Sequence, residues 1–480
     1  MVETGSLDRH GGPPVGSLGR GPVPHHQSAQ RVVGGEGLGV DGEHDPTLAS
    51  AGRYPVAGPR PGLLGCRVSI DVRPSEDADT YLATDQLVWF AEVTAADADH
   101  LRLGLPADQR FVVDLPDGPS DLHAGIYGVR PMEMSLPGGA LVPIAGLTWV
   151  GVHPDARRRG VLAAMMTDHL SRTRDAGTAI SALHASEAAI YGRFGYGLAV
   201  LTHQVDLGRG TTFTAPHLED EAAGITTHVL DMAAPGVSER MRACQLAAAP
   251  DFPGTIVGSS DFFTLMTSET PEQLRDKERR RVLFARRDGA DVGYVGLRRE
   301  HKWADARPSG TVTVGQFTGG PAARLALARR VVDLDLMGTT KLENVGVDDP
   351  ILGWVGGPRG TGDLKTWDST WVRLVDLEAA WSLRSYESDC DVVVEVADRY
   401  APWNAGRWRL RASSGAGSAT RSDSPADIAL DVAVLGAGYL GHGIAGLLRA
   451  GLVAEHRPGA YAGLARAMRT ALAPEPSIGF

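Results

Sequence analysis

The fold is decided by three adjoining pieces of chain, which read LVPIAGLTWVGV (141–152), HPDARRRG (153–160) and VLAAMMTDHL (161–170). The first is an apolar run that ends in Val-Gly-Val, and it predicts a buried β-strand. The third, continued to residue 175, predicts an amphipathic helix because its apolar side chains recur at helical spacing. The residues of that helical stripe are Val161, Leu162, Met165, Met166, His169 and Leu170.

The basic turn between strand and helix has the features of a phosphate-binding loop. A helix N-terminus carries unpaired N–H groups and partial positive charge. Arg157, Arg158 and Arg159 add charge, and Gly160 permits close approach of the backbone to an anion. The alternative is a solvated basic patch, but arginines are unfavourable at a helix start unless an anion compensates them. The pattern therefore favours an anion site.

The strand before the turn could bind the rest of such a ligand. The backbone groups of Val150 and Val152 could pair with an amide-bearing arm such as pantetheine, in the manner of an added strand. The predicted cofactor-binding residues of this segment are Val150, Gly151, Val152, Arg157, Arg158, Arg159, Gly160, Val161, Leu162 and Ala163.

Composition narrows the class of partner. The chain has 480 residues, which predicts two to four domains, and 58 acidic against 47 basic residues give a net charge of -11. This charge argues against nucleic acid and favours small cationic partners. No apolar run approaches the roughly 20 residues that span a bilayer, so membrane insertion is not expected. Cys66, Cys244 and Cys390 suit neither a disulfide framework nor a zinc site, so we expect a cytoplasmic protein without a metal.

The chain divides into four segments. Residues 1–65 are rich in Gly, Pro, His and Ser, and they predict a disordered extension without a secretory signal. Two mixed α/β segments with similar element order follow at 66–212 and 213–375. A third α/β unit at 376–480 completes the chain.

The central motifs resemble those of a known family. Val152-x-Pro-x-x-Arg-Arg-Arg-Gly160 resembles the cofactor loop of the GNAT-superfamily acetyltransferases, R/Q-x-x-G-x-G/A, with Leu162 where Gly or Ala is usual. Together with LHASEAAIYGRFGYG at 183–197, it resembles the Eis ("enhanced intracellular survival") N-acetyltransferases. The resemblance covers about residues 66–480 and is strongest between 145 and 197.

The resemblance implies a fold and a cofactor. It implies acetyl-CoA as co-substrate, two tandem GNAT folds, a C-terminal domain similar to sterol carrier proteins, and a homohexamer. The second GNAT fold should lack a working cofactor loop. Consistent with this, the comparable stretch from Gly319 to Arg324 contains Pro321 and no basic run.

Two residues receive catalytic roles from the resemblance. Acetyl transfer to an amine requires a proton acceptor for the nitrogen and a proton donor for the departing thiolate. Tyr191 is the implied general acid, because a phenol with a pKa of about 10 can protonate a thiolate whose conjugate acid lies near 8.5. The C-terminal carboxylate of Phe480 is the implied base. The alternatives are a core tyrosine packed beside Phe194 and Tyr196, and a frayed tail.

The remaining site residues are placed beside the cofactor or the acceptor. Ser186 and Glu187 should lie at the cofactor, although a plain helix N-cap at Ser186 explains the same pattern. The resemblance implies an acceptor pocket formed by Trp89, Phe90, Glu92 and Trp149, whereas the alternative is core packing for the aromatics and solvation for Glu92. The acceptor would be an amine, either an aminoglycoside or the lysine side chain of a peptide.

Two other functional classes remain open at this point. Residues 433–441 imitate the G-x-G-x-x-G fingerprint of NAD enzymes, with Gly436, Gly438 and Gly441. Too little chain follows for a doubly wound sheet, so we interpret the stretch as a helical turn inside the C-terminal domain. The second class is a non-catalytic scaffold that binds a lipid or another ligand.

Overall fold

A computed structural model describes residues 70–90, 98, 99, 102, 104–270, 274, 275 and 277–480. The predicted extension (1–65), Cys66 and Glu92 lie outside these residues. The described α-helices are α1 (Ala78–Trp89), α2 (Val161–Asp175), α3 (Ala188–Tyr191), α4 (Glu219–Ala223), α5 (Val237–Ala248), α6 (Ser260–Thr267), α7 (Pro321–Val332), α8 (Pro350–Trp354), α9 (Leu377–Leu383), α10 (Val432–Gly438) and α11 (Ala460–Ala467).

The first sheet has the strand order β1-β2-β3-β4-β5-β17-β6. The short strand β9 pairs with β3 at Glu133 and Met134. The strands of this sheet are β1 (Arg73–Pro74), β2 (Arg110–Val113), β3 (Gly125–Ser135), β4 (Leu141–Val152), β5 (Ile180–His184), β6 (Gly197–Leu198), β9 (Ile256–Val257) and β17 (Thr370–Leu374).

The second sheet has the order β16-β7-β15-β14-β11-β10-β8. Its strands are β7 (Leu201–Gly208), β8 (Thr226–Asp231), β10 (Arg281–Arg287), β11 (Ala290–Glu300), β14 (Gly310–Gly319), β15 (Met337–Val345) and β16 (Asp363–Asp368). A small hairpin connects its two longest antiparallel strands and consists of β12 (Trp303–Ala304) and β13 (Arg307–Pro308).

The third sheet belongs to the C-terminal unit and has the order β20-β19-β18-β21-β22. Its strands are β18 (Cys390–Ala397), β19 (Gly406–Ser413), β20 (Ala416–Arg421), β21 (Ile428–Asp431) and β22 (Val453–Glu455).

A two-stranded ribbon crosses from the first sheet to the second. One arm is β6 continued by β7, and the other is β16 continued by β17. The arms pair antiparallel on both sides of the crossing, at Leu201–Asp368 in the second sheet and Leu198–Trp371 in the first. As a result β7 lies between β16 and β15 in the second sheet, and β17 lies between β5 and β6 in the first. Sheet membership therefore does not follow the segments 66–212 and 213–375.

The C-terminal unit packs against this ribbon through α10. A Cβ added to Gly197 of β6 would lie 2.0 Å from the carbonyl oxygen of Ala433. A Cβ added to Gly436 of α10 would lie 2.3 Å from the carbonyl oxygen of Val372 on β17. Gly436 of the stretch that imitates a dinucleotide fingerprint thus permits close helix–strand packing. The helix at Val432–Gly438 confirms the interpretation of this stretch as a helical turn.

Buried side chains of all three units form one large apolar cluster. It includes Ile144 of β4, Phe263 of α6, Trp381 of α9 and Leu464 of α11. The C-terminal Phe480 packs against this cluster. Within the described ranges, no helix combines the length and apolarity needed to cross a bilayer.

Candidate functional site

The predicted strand, turn and helix form as expected. β4 ends at Val152, a single 3-10 turn follows at Pro154–Ala156, and α2 begins at Val161. Gly160 is the N-cap, with φ at 93°, a left-handed conformation that favours glycine. Neither a side-chain cap nor an acidic residue is present in the first turn of α2. The N–H groups at the start of α2 are thus available to an anion.

The three arginines of the turn are exposed but not equivalent. Arg159 forms an ion pair with Asp117, and it also donates to the Asp117 carbonyl at 3.3 Å. Among the described residues, Arg157 and Arg158 form no ion pair, and Arg158 has a left-handed backbone with φ at 62°. These two side chains are therefore the ones free to meet phosphate oxygens.

A fork opens in the first sheet beside this turn. Among the described residues, β4 and β5 pair in parallel only at Ala145–Ser181 and Gly146–Ala182. β4 then continues to Val152 without that neighbour. Its register with β3 slips near Trp149, whose φ is 54°, and such a bulge bends the strand. The backbone edge of β4 beyond Gly146 is thus open to an added strand-like ligand.

The last residue of the chain lies at the base of this fork. A Cβ added to Gly146 of β4 would be 2.9 Å from Cε2 of Phe480. The Phe480 ring also meets the His184 ring of β5 edge to face, with centroids 5.1 Å apart. Burial lowers the pKa of His184 to about 4, so its imidazole is neutral at physiological pH. The C-terminal side chain therefore lies against the Gly146 backbone of β4 and the neutral His184 ring of β5.

Ser181 and Tyr196 connect the fork to the ring of Tyr191. Ser181 donates to the Ala145 carbonyl at 3.0 Å, and its hydroxyl lies 2.8 Å from the Tyr196 hydroxyl. The Tyr196 ring meets the Tyr191 ring edge to face at 6.0 Å. Tyr191 is buried, and burial together with the charge of Glu187 raises its pKa to about 12. The phenol therefore keeps its proton at neutral pH.

The proposed acceptor residues gather near the outer end of β4. The last turn of α1 approaches this end, because a Cβ added to Gly151 would lie 3.2 Å from Val88. Trp89 and Phe90 close this helix, with Phe90 88% exposed, and Trp149 lies 6.3 Å from the Tyr81 ring. Glu92 is outside the described residues.

The structure contradicts the alternative in which Ser186 is a plain helix N-cap. Ser186 and Glu187 are both exposed between β5 and α3. Glu187, not Ser186, occupies the N-cap position of α3, and neither side chain makes a capping hydrogen bond. The N-cap explanation for Ser186 is therefore wrong, and its hydroxyl is free of that local role.

One ion-paired arginine, at the turn between β14 and α7, was not predicted from the sequence. Arg324 of α7 is 2% exposed, and it pairs with Asp349 and, at 2.6 Å, with Glu475 of the C-terminal tail. The comparable loop of the first sheet carries exposed arginines. The sequence signal for this internal ion pair was the arginine itself, which ends a stretch from Gly319 that has no other basic residue.

Two parts of the chain match known protein families. An acetyltransferase (GNAT) domain model matches residues 74–199, and a sterol carrier protein domain model matches residues 377–478. An uncharacterized N-acetyltransferase of Streptomyces avermitilis is 38% identical over 367 residues, which cover 75% of this chain and 87% of that protein.

Two mycobacterial proteins are also similar. The N-acetyltransferase Eis of Mycobacterium tuberculosis is 28% identical over 358 residues, covering 70% of this chain and 80% of that protein. The crystal structure of Eis1 from Mycobacterium abscessus is 29% identical with a TM-score of 0.71, and the match covers 85% of this chain and 100% of that chain.

Proposed function

Because this chain belongs to the GNAT-superfamily N-acetyltransferases that include the Eis proteins, we propose that it transfers the acetyl group of acetyl-CoA to an amine at the fork between β4 and β5. The contact of Phe480 with Gly146 and His184 carries this proposal, since it brings a carboxylate-bearing residue to the point where the strands separate.

The residues of the first sheet fit acetyl-CoA. The start of α2 with Arg157 and Arg158 would hold the pyrophosphate, and the open edge of β4 from Val150 to Val152 would pair with the pantetheine amides. Ser186 would donate a hydrogen bond to the cofactor. When bound, acetyl-CoA supplies an activated acetyl thioester.

Two groups would carry out the proton transfers to the departing thiolate and from the amine. Because its pKa is raised, Tyr191 keeps its proton at neutral pH. It would donate this proton to the departing sulfur. The Phe480 carboxylate would accept the proton of the amine. An α-carboxyl has an ordinary pKa of about 3.3 to 3.7, so it would act through burial, through a water, or on an amine that is already mostly neutral.

The acceptor is proposed to be a cationic amine, an aminoglycoside or a lysine side chain. The net charge of -11 favours such a partner. The exposed aromatic rings of Trp89 and Phe90 could contact it, and Glu92 would add negative charge.

The experiment for the proposed function measures thiol release from acetyl-CoA by the purified chain across a panel of aminoglycosides, lysine peptides and polyamines. Release that requires both acetyl-CoA and one class of amine supports the proposal. If no amine stimulates release while acetyl-CoA also fails to raise the melting temperature, the non-catalytic scaffold is the better explanation.

Replacement of Arg158 by Ala should weaken acetyl-CoA binding. A lost charge-assisted hydrogen bond costs about 1.5 to 3 kcal/mol, which corresponds to roughly 10- to 100-fold in Kd. Calorimetric titration at low salt measures this. Arg174→Ala, at the opposite end of α2 and stacked on Trp403, is the matched control and should leave the Kd unchanged. Equal affinities for wild type and Arg158→Ala would contradict the assignment of the loop.

We also propose that the chain assembles into a homohexamer, as the resemblance implies. Sedimentation velocity at micromolar concentration should give a particle several times the mass of one chain. A monomer at all concentrations would count against assembly.

A further inference from the structure

The buried arginine of the second sheet connects three separate parts of the chain. Arg324 donates through Nε to the Gly319 carbonyl at 2.9 Å, and its two other nitrogens meet Asp349 and Glu475. The guanidinium also lies 4.6 Å from the centre of the Phe252 ring. Each of its three nitrogens therefore contacts a group of the chain itself, and the loop at Gly319 holds an internal carboxylate.

The tail that carries Glu475 follows an ordered path from this arginine to the fork. The N–H of Glu475 donates to the Pro253 carbonyl at 2.7 Å. Two residues later, the Ser477 hydroxyl accepts from the Ile256 N–H at 2.8 Å and donates to its carbonyl at 3.1 Å. Ile256 belongs to β9, which pairs with β3 in the first sheet. The tail is thus tied to both sheets before it reaches Phe480.

We propose that Arg324 and Glu475 are positioning residues for Phe480, so that the second, degenerate GNAT unit serves as the anchor of the catalytic tail. Its loop binds the Glu475 carboxylate in place of a cofactor phosphate. The inference rests on the proposed function for the role of Phe480, but the anchoring itself does not depend on that role.

Close packing by two glycines indicates a binding site shaped for Glu475. A Cβ added to Gly346 would lie 2.6 Å from Oε2 of Glu475, and one added to Gly254 would lie 3.0 Å from its carbonyl oxygen. Arg324 is buried, and the Glu475 side chain keeps only 12% of its surface exposed. If the tail detached, the buried Arg324 would lose one of its two carboxylate partners, so the pair favours the bound tail.

The test uses Glu475→Gln in the full chain. Glutamine keeps the volume and one acceptor, and Asp349 still pairs with Arg324, so the fold should be retained. Glu219→Gln is the matched control, because it breaks the exposed pair between Glu219 of α4 and Arg329, which lies on the same helix α7 as Arg324. Arg324→Lys is a second variant, which keeps the charge and loses the planar fork that holds Asp349 and Glu475 on separate nitrogens.

The first readout is release of Phe480 by carboxypeptidase Y, which follows the population of detached tails. Release should be about 10- to 100-fold faster from Glu475→Gln than from wild type or Glu219→Gln. The second readout is kinetic: kcat should fall by about 10- to 100-fold, with an unchanged Kd for acetyl-CoA. In a chain that lacks Phe480, Glu475→Gln should lower kcat no further.

Two results would overturn the inference. Release of Phe480 at the wild-type rate from both Glu475→Gln and Arg324→Lys would mean that this pair does not hold the tail. A kcat loss that multiplies with deletion of Phe480 would mean that the pair acts on something other than Phe480. Absence of acetyl transfer in the wild type is a different result, since it contradicts the proposed function while the release rates still test the anchor.

Discussion

Removal of Phe480, or extension of the chain beyond it, is expected to lower kcat by about 10² to 10⁴, the usual contribution of a general base. Deletion moves the carboxylate to Gly479, away from the contacts of Phe480 with Gly146 and His184. Stability should change little, because Ile478 is buried and Ser477 still binds Ile256. Turnover on the best amine of the panel measures the loss, and thermal unfolding checks the fold.

Two variants separate the charge from the ring. A semisynthetic chain with a C-terminal amide keeps the Phe480 ring and loses the charge, so it should be as impaired as the deletion. Phe480→Leu keeps the carboxylate and should retain most of the turnover. Full activity of the amidated chain would remove Phe480 from the mechanism and direct attention to Glu187 or Glu92 as the base.

Tyr191→Phe is expected to lower kcat by a similar factor, about 10² or more, while the Kd of acetyl-CoA stays nearly constant. The change removes the hydroxyl and keeps the ring that packs on Tyr196. Because the pKa of Tyr191 is raised to about 12, the phenol is protonated below that pH. The wild-type rate should therefore not decline between pH 7 and 10 through ionisation of Tyr191.

The neighbouring tyrosine supplies the control. Tyr196→Phe removes the hydrogen bond to Ser181 and should lower the free energy of unfolding by about 1 to 3 kcal/mol, with turnover largely retained. If Tyr196→Phe reduced kcat as strongly as Tyr191→Phe, the hydroxyl network rather than Tyr191 would be the catalytic element. Tyr191→Phe combined with the amidated terminus should lose less than the product of the two effects.

The family and the fold class predicted from the sequence are confirmed. The strand at Leu141–Val152 and the helix from Val161 could be predicted because each depends on local periodicity and on a turn of contiguous residues. The same locality explains why the sequence places Gly160 at the start of the helix, where it is the N-cap.

The arrangement of the ribbon and the tail could not be predicted in the same way. No local pattern states that β17 pairs with β5 and β6, because strand pairing across a long insertion depends on tertiary packing. Likewise, Arg324 and Glu475 are far apart in sequence, and neither lies in a recognisable motif. The helix at Ala188 began one residue later than a cap at Ser186 requires, and such ends shift easily.

The insertion of β17 also has a consequence for how the protein is made. β5 and β6 share the partner strand Thr370–Leu374, which is synthesised only at the end of the second unit. Until then, the edges of β5 and β6 that this strand occupies remain unpaired. Unpaired strand edges invite mispairing and aggregation. The first sheet is therefore complete only after Thr370–Leu374 has been synthesised, which ties its completion to synthesis of the second unit.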